Sequence, residues 1–386
     1  MQKAFLRKCF DVSRYFYNCA VSAINARYDA RKKEFVDSPT CVFCEAPKEE
    51  KSYACVKHAK KALPWKLGIT HISLRGEVMK SDCDLLPEEE WQKEIPYDTR
   101  QLIIKDAVTA YKAAVTNKTR GNIEHFRLGF KSRRSPRQIC WARKNALTKD
   151  FVLFSTRLKK QGKLRFRTKV RRQLQRPEHD FKILRDGFAY YLVLTVADDP
   201  PTAIEHPHEF VAMDPGVRTF QTCYSPDGVI IESDVGDQLQ KLARRADLMR
   251  SLKKRRRVLQ LYRKIRDVAT NLHYQTAALL TRQFKNILLP TFGTSGMKTG
   301  PLSSKTKRQM DFLGFYQFKQ RLIRKGAKRG CNVYIVGEEY TTKTCTRCGV
   351  LNNVGSSKVY TCASCSLVAP RDLCGARNIL LKHLVL

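Results

Sequence analysis

Acidic residues are scarce in this 386-residue chain: 36 Asp and Glu stand against 73 Lys and Arg, a formal net charge of +37. That deficit argues against a small-metabolite enzyme and for a polyanionic partner, because phosphates neutralise a large positive surplus. Long apolar runs are also missing. No stretch approaches the roughly 18 apolar residues of a membrane span, so no membrane partner is expected. Met1 to Arg14 interleaves Lys3, Arg7 and Lys8 with short apolar pieces and lacks the core of a secretory signal. Glycine and proline are few, at 19 and 15, while 42% of residues are hydrophobic, which excludes a disordered basic tail. What is plentiful is cysteine, with 14 residues. Eight candidate ligands fall into Cys-x2-Cys and Cys-x2-His pairs, which points to metal-bound thiolates in an intracellular, reducing compartment and not to secreted disulfides.

The length allows two to four domains at roughly 100 to 200 residues each. Phe10, Tyr17, Val21 and Ile24 recur at helical spacing and predict an opening helix over 9–28. Between Glu77 and Asp98 eight acids face two lysines, a solvated stretch, before a second helical pattern over 99–115. Composition then reverses: His125 to Pro177 holds eighteen Lys or Arg and one acid, Asp150. Short β-like runs at 151–155 and 164–168, with a stronger one at 189–197, predict a β-barrel that offers a polyanion-binding surface. Pro200, Pro201 and Pro207 mark a linker, dividing the chain into 1–205 and 206–386. The second part reads as a three-stranded meander, then strands alternating with helices, and a last helix over 371–384. That is the order of an RNase H-like α/β domain.

Cys345, Cys348, Cys362 and Cys365 form two Cys-x2-Cys pairs, the arrangement of a closed structural zinc site. Cys41, Cys44, Cys55 and His58 have the same form with a shorter loop, as in a zinc knuckle. Asp214 stands where Pro215-Gly216 turns the chain at the end of a strand, and Asp372 stands in the first turn of the last helix. Two-metal phosphodiester hydrolysis needs several converging carboxylates on hard cations such as Mg²⁺. A third acid is therefore sought, yet from Val268 to Met310 there is no Asp or Glu. The nearest replacements are Glu338 and Glu339, just after the strand 333–336, within one strand spacing if that strand pairs with 287–289. Alternation does not choose between them.

Three segments carry a resemblance: Phe210-Val-Ala-Met-Asp-Pro-Gly-Val-Arg-Thr-Phe, Gly337-Glu-Glu-Tyr-Thr-Thr-Lys-Thr-Cys-Thr-Arg-Cys-Gly and Arg371-Asp-Leu-Cys-Gly-Ala-Arg-Asn-Ile. In these the chain resembles the TnpB/Fanzor family of transposon-associated, RNA-guided DNA nucleases. The likeness covers 209–386 well and the first half more loosely, through Phe126-Arg-Leu-Gly-Phe-Lys-Ser-Arg. It implies an N-terminal β-barrel with a helical recognition lobe, a C-terminal RuvC domain with an inserted zinc ribbon, and Asp214 and Asp372 as the first and third RuvC acids. Bacterial members place the second acid where this chain has Leu288-Leu289-Pro290-Thr291. The eukaryotic and viral Fanzor branch, with a relocated glutamate, resembles it better and implies Glu338. The implied partners are a guide (omega) RNA and a target DNA bearing a short flanking motif, bound by a monomeric ribonucleoprotein that works with two Mg²⁺ ions and structural Zn²⁺.

Between Lys241 and Arg266 twelve basic residues meet one acid, Asp247. Within it Lys253, Lys254, Arg255, Arg256 and Arg257 form a run expected to meet phosphate, and it serves equally as a nuclear import signal in a eukaryotic host. Arg127, Lys131, Arg133, Arg134, Arg165 and Arg167 are the other expected backbone contacts, positioning a duplex without reading it.

Overall fold

The computed structural model describes residues 2–40, 44, 46–47, 67–79, 87–123, 126–148, 152–158, 164–165, 177–195, 197, 202, 204–355 and 357–384. The chain divides into two compact units, Met1–Ala197 and Asp198–Leu386.

The first unit is built on α1 (Gln2–Asp37), longer at both ends than its apolar spacing predicts. Phe10, Ser13, Phe16, Ala20 and Ile24 are at most 1% exposed, one continuous stripe at three- and four-residue steps. This stripe shares a core with α2 (His71–Val78), α3 (Tyr97–Thr119) and a three-stranded antiparallel sheet of β1 (Arg137–Ala142), β4 (Phe181–Asp186) and β5 (Ala189–Val193), in the order β1-β4-β5. Asn18 and Asn25, seven residues apart, each exchange two hydrogen bonds with the backbone of Lys131 and Leu128, at 2.8–3.2 Å. A helix here does the work of an edge strand.

The N-terminal β-barrel is corrected by this arrangement. β2 (Val152–Leu153) pairs only with β3 (Leu164–Arg165), and among the described residues β1 and β5 are the open edges of their sheet. Closure is unnecessary because α1 and α3 cover the apolar face of the sheet that a barrel would turn inward.

The second unit contains an open five-stranded sheet in the order β10-β9-β6-β7-β8. β6 (His208–Pro215), β7 (Gln221–Tyr224) and β8 (Ile230–Ser233) are antiparallel, while β9 (Phe284–Pro290) and β10 (Asn332–Val336) run parallel to β6. This sheet too is unclosed, and no closed barrel is present among the described residues. α4 (Gly236–Ser251) and α5 (Arg255–Gln283) connect β8 to β9, and α6 (Thr294–Thr299), α7 (Ser304–Leu313) and α8 (Phe315–Arg329) connect β9 to β10. In place of the expected zinc ribbon stand two paired three-residue strands, β11 (Val359–Thr361) and β12 (Val368–Pro370), before α9 (Arg371–Leu384).

Period-two alternation assigns the two faces of this sheet. Val211, Met213, Ile287 and Leu289 pack toward α5, α7 and α8, whereas Ala212 and Leu288 pack toward Ile379 and Leu380 of α9. Asp214 continues the second set. It therefore emerges on the α9 side at the end of β6.

His273 of α5 anchors the other face. It is 2% exposed, stacks on Phe220 at 5.2 Å, donates from Nε2 to the Leu313 carbonyl at 2.6 Å and accepts at Nδ1 from Arg321. Burial, opposed by the Leu313 carbonyl and helped by the Arg321 charge, brings its pKa down to about 4. An imidazole that binds its proton less readily when folded stabilises fully above the unfolded value near 6.5. That contribution is lost as pH falls towards 4, and amounts to about 3 kcal/mol. Urea midpoints measured from pH 7.5 to 4 are expected to fall over this window, and His273→Phe is expected to flatten the fall. An unchanged slope in the variant refutes the assignment.

Candidate active site

β6, the segment after β10 and the start of α9 converge at one edge of the second unit. Asp214, Glu338 and Asp372 line a single cleft of about 440 Å³ with Gly216, Arg218 and Arg371. Asp214 is held there by its strand. Gly375 of α9 gives it room, since a Cβ on that glycine would sit 2.4 Å from Asp214 Oδ2. A glycine inside a helix costs about 1 kcal/mol relative to alanine, and this close approach is its local reason.

Burial raises the Asp214 pKa to about 7, Asp372 and Glu338 add like-charge repulsion, and Arg371 partly opposes them. The cleft is thus short of positive charge although the chain has a large excess. Arg371 is engaged with Asp372 Oδ1 at 3.3 Å. Thr222, opposite Asp214 in the β6–β7 register, has a buried hydroxyl oxygen with no partner among the described residues.

Of the two candidate glutamates, Glu338 enters the cleft, and burial and the Glu339 charge raise its pKa. Glu339 instead accepts from Lys382 at 2.8 Å, and that hydrogen bond holds its carboxyl below the usual range. β10 does pair with β9, through Val336 and Pro290, so the Glu338 segment lies one strand beyond the end of β9.

Four thiols form the other site. Cys345 Sγ lies 3.6 Å from Cys365 Sγ, Cys348 Sγ lies 3.6 Å from Cys362 Sγ, and all four lie within 4.8 Å of one another. A tetrahedral zinc with Zn–S bonds near 2.3 Å sets its sulfurs about 3.8 Å apart, so this cage fits that ion and can hold it. The Cys365 and Ser364 backbone N–H groups lower the Cys362 pKa to about 6, favouring a thiolate at neutral pH. Among the described residues this is the one group of three or more His, Cys, Asp or Glu ligands within such a distance. The three cleft carboxylates are not so gathered.

The thiol cage and the cleft share α9, which sequence reasoning passed over as a link. Asn378, 7% exposed, donates to the carbonyls of Thr341 and Thr344, both at 2.7 Å, and so holds the strip running from Glu338 to Cys345. His383 bonds the Gly337 carbonyl at 3.0 Å. The signal that could have found them is the helical spacing of Asp372, Gly375, Asn378 and Lys382, which places them along one side.

The remaining predicted positions fare unevenly. Lys253, Lys254, Arg255, Arg256 and Arg257 are exposed around the α4–α5 turn, where Lys253 takes a left-handed φ of 54°. The basic stretch 241–266 is therefore two helices, and Leu252 is 51% exposed at the break. Arg133 and Arg134 are exposed, and Arg127 reaches Asp29 at 3.2 Å. Lys131 is turned inward, its Nζ 3.5 Å from the centre of the Tyr17 ring and 4.0 Å from Asp106. Arg165 belongs to β3. Arg167, Cys41, Cys55 and His58 lie outside the described residues, and Cys44, the remaining member of that cluster, is exposed.

The chain is similar to known proteins over part or most of its length. Residues 315–379 match the family described as Cas12f1-like, TNB domain. A candidate transposase of Paramecium bursaria Chlorella virus 1 is 28% identical over 405 aligned positions, covering 99% of this chain and 84% of the relative. A TnpB-like protein of Acanthamoeba polyphaga mimivirus is 28% identical over 209 positions, covering 49% of this chain and 40% of the relative. The chain is homologous to TnpB-like and Cas12f1-like proteins. It is also 25% identical over 325 positions to InsQ of Escherichia coli, covering 76% of each, and InsQ is named as a candidate RNA-guided DNA endonuclease. The matched region spans about two fifths of the mimivirus relative. No helix of the described residues is long and apolar enough to cross a membrane.

Proposed function

We propose that the chain is an RNA-guided, Mg²⁺-dependent DNA endonuclease that cuts guide-matched DNA at a RuvC-type site made by Asp214, Glu338 and Asp372. The observation that carries this reading is the meeting of three acids, from segments as distant as 214 and 372, in one cleft. Their oxygen donors suit a hard cation, and burial together with repulsion from Asp372 and Glu338 raises the Asp214 pKa, which a bound cation would reverse. Bound there, Mg²⁺ would supply water activation and neutralise charge on the leaving oxygen. The chain's own part is to present the carboxylates: β6 fixes Asp214, α9 fixes Asp372, and Asn378 and His383 hold the strip that carries Glu338.

In this reading, 1–205 is the guide- and target-binding region and 206–386 is the nuclease region. A guide RNA and a target DNA with a short flanking motif are the partners, in a monomeric ribonucleoprotein. The position of Glu338 favours the Fanzor branch, as does similarity to proteins of two viruses. In a eukaryotic host the exposed run from Lys253 to Arg257 would direct the protein to the nucleus.

The protein purified with its RNA is to be tested on guide-matched DNA with Mg²⁺, after the RNA is sequenced. Glu338→Gln is expected to lose cutting and keep DNA binding, whereas Glu339→Gln, whose partner is Lys382, keeps most of both. Full cutting by Glu338→Gln removes that residue from the site. A second reading, a domesticated RNA-guided binder that does not cut, is favoured by the missing carboxylate at 288–291 and by the wide spacing of the cleft acids. It is upheld if a discrete RNA co-purifies, DNA binds, and no variant or wild-type protein cuts.

A further inference from the structure

A second cavity of about 270 Å³ opens at the same edge of the sheet, on the face turned toward α8. It shares Pro215 and Phe292 with the carboxylate cleft. Successive strand residues point to opposite faces: Asp214 lines the carboxylate cleft alone, whereas Pro215, at the end of the strand, borders both recesses. Gln221, the register partner of Pro215, lines this cavity. It is 1% exposed, and its amide oxygen has no hydrogen-bond partner among the described residues. A buried acceptor left unpaired costs about 1–3 kcal/mol, so a ligand that donates to it recovers that cost.

The walls specify the kind of ligand. Phe292 and Phe315, with ring centroids 4.6 Å apart, form an aromatic wall, and Tyr316 stands 68% exposed in the first turn of α8. Lys319, one turn further along α8, supplies a positive charge to the same cavity. The space is below the roughly 300–1,000 Å³ of pockets that enclose drug-sized ligands. A single planar ring suits it: aromatic faces stack a base, an amide reads its hydrogen-bonding edge, and an ammonium meets the adjoining phosphate.

We propose that this cavity is a nucleobase pocket, which takes one unpaired base of the strand whose phosphodiester lies in the neighbouring carboxylate cleft. Tyr316 stacks on the base, Gln221 accepts a hydrogen bond from its edge, and Lys319 meets its backbone. The assignment to the strand being cut rests on the nuclease reading above; the base-binding chemistry does not.

The test uses the full chain with its co-purifying RNA and a short single strand carrying 2-aminopurine at successive positions, made once as DNA and once as RNA. Fluorescence is expected to be quenched at one or two adjacent positions of the DNA strand. Tyr316→Ala is expected to abolish that local quenching and weaken the strand by about 5- to 100-fold. Gln221→Leu is expected to remove discrimination between 2-aminopurine and unsubstituted purine, which lacks the exocyclic amino donor, at that position. Quenching spread evenly, or untouched in Tyr316→Ala, overturns the pocket even where cutting with Mg²⁺ is normal. Local quenching lost in Tyr316→Ala upholds the pocket even where no cutting occurs, and the nuclease reading then falls alone. Quenching of the RNA strand only overturns the assignment to the strand being cut.

Discussion

Asp214→Asn is expected to reduce cleavage of guide-matched DNA by about 10³-fold or more, with RNA and DNA binding unchanged. Asparagine keeps the shape and removes the charge. Metal-held charge stabilisation in phosphodiester hydrolysis is worth several kcal/mol, and each 1.36 kcal/mol is a factor of ten in rate. The same variant carries a second signature. Asp214 sits under repulsion from Asp372 and Glu338, and burial and that repulsion together raise its pKa to about 7. In metal-free buffer the neutral side chain is therefore expected to raise the melting temperature by roughly 2–4 °C for each kcal/mol relieved. Added Mg²⁺ is expected to shrink that gain by stabilising the wild type alone. Wild-type cutting by the variant removes Asp214 from the chemistry; lost cutting with lowered stability assigns it a structural role.

Metal removal from the four cysteines is expected to have the other large effect. The part around them has little else to hold it: two three-residue strands and a small core of Cys345, Tyr360, Cys362 and Cys374. Structural zinc sites supply on the order of 10 kcal/mol of folding free energy in small domains. Cys362→Ser is expected to lower bound zinc by one per chain and to open 341–370 to protease while the five-stranded sheet stays protected. Cutting should also fail, because the strip between Glu338 and Cys345 is fixed at one end by the thiol cage and in its middle by Asn378. Equal zinc content and an unchanged proteolysis pattern would argue that the cage holds no ion.

The second unit was more legible in the sequence than the first. Asp214 and Asp372 each sit at a punctuation mark, a strand end before Pro-Gly and a helix start, so their placement follows from local rules. β1 and β4 escaped notice because their inward positions include Gln138 beside Cys140 and Ala142, and basic residues flank them. The barrel failed for a related reason. Short strands imply a sheet, but whether that sheet closes depends on what covers it, and α1 and α3 cover this one. Lys131 looked like a phosphate contact by type, yet Asn18 and Asn25 bind its segment to α1 and turn the lysine inward. The choice between Glu338 and Glu339 required Lys382, forty-odd residues away, which pairs with the second.

Pro290 of β9 and Val336 of β10 lie side by side in register, and both Phe292 and Glu338 reach the same cleft. An acid required at that place can be supplied from either of two neighbouring parallel strands, nearly fifty residues apart along the chain. The shared feature is then a place at the sheet edge, within reach of two segments of the chain, and not a single position along it.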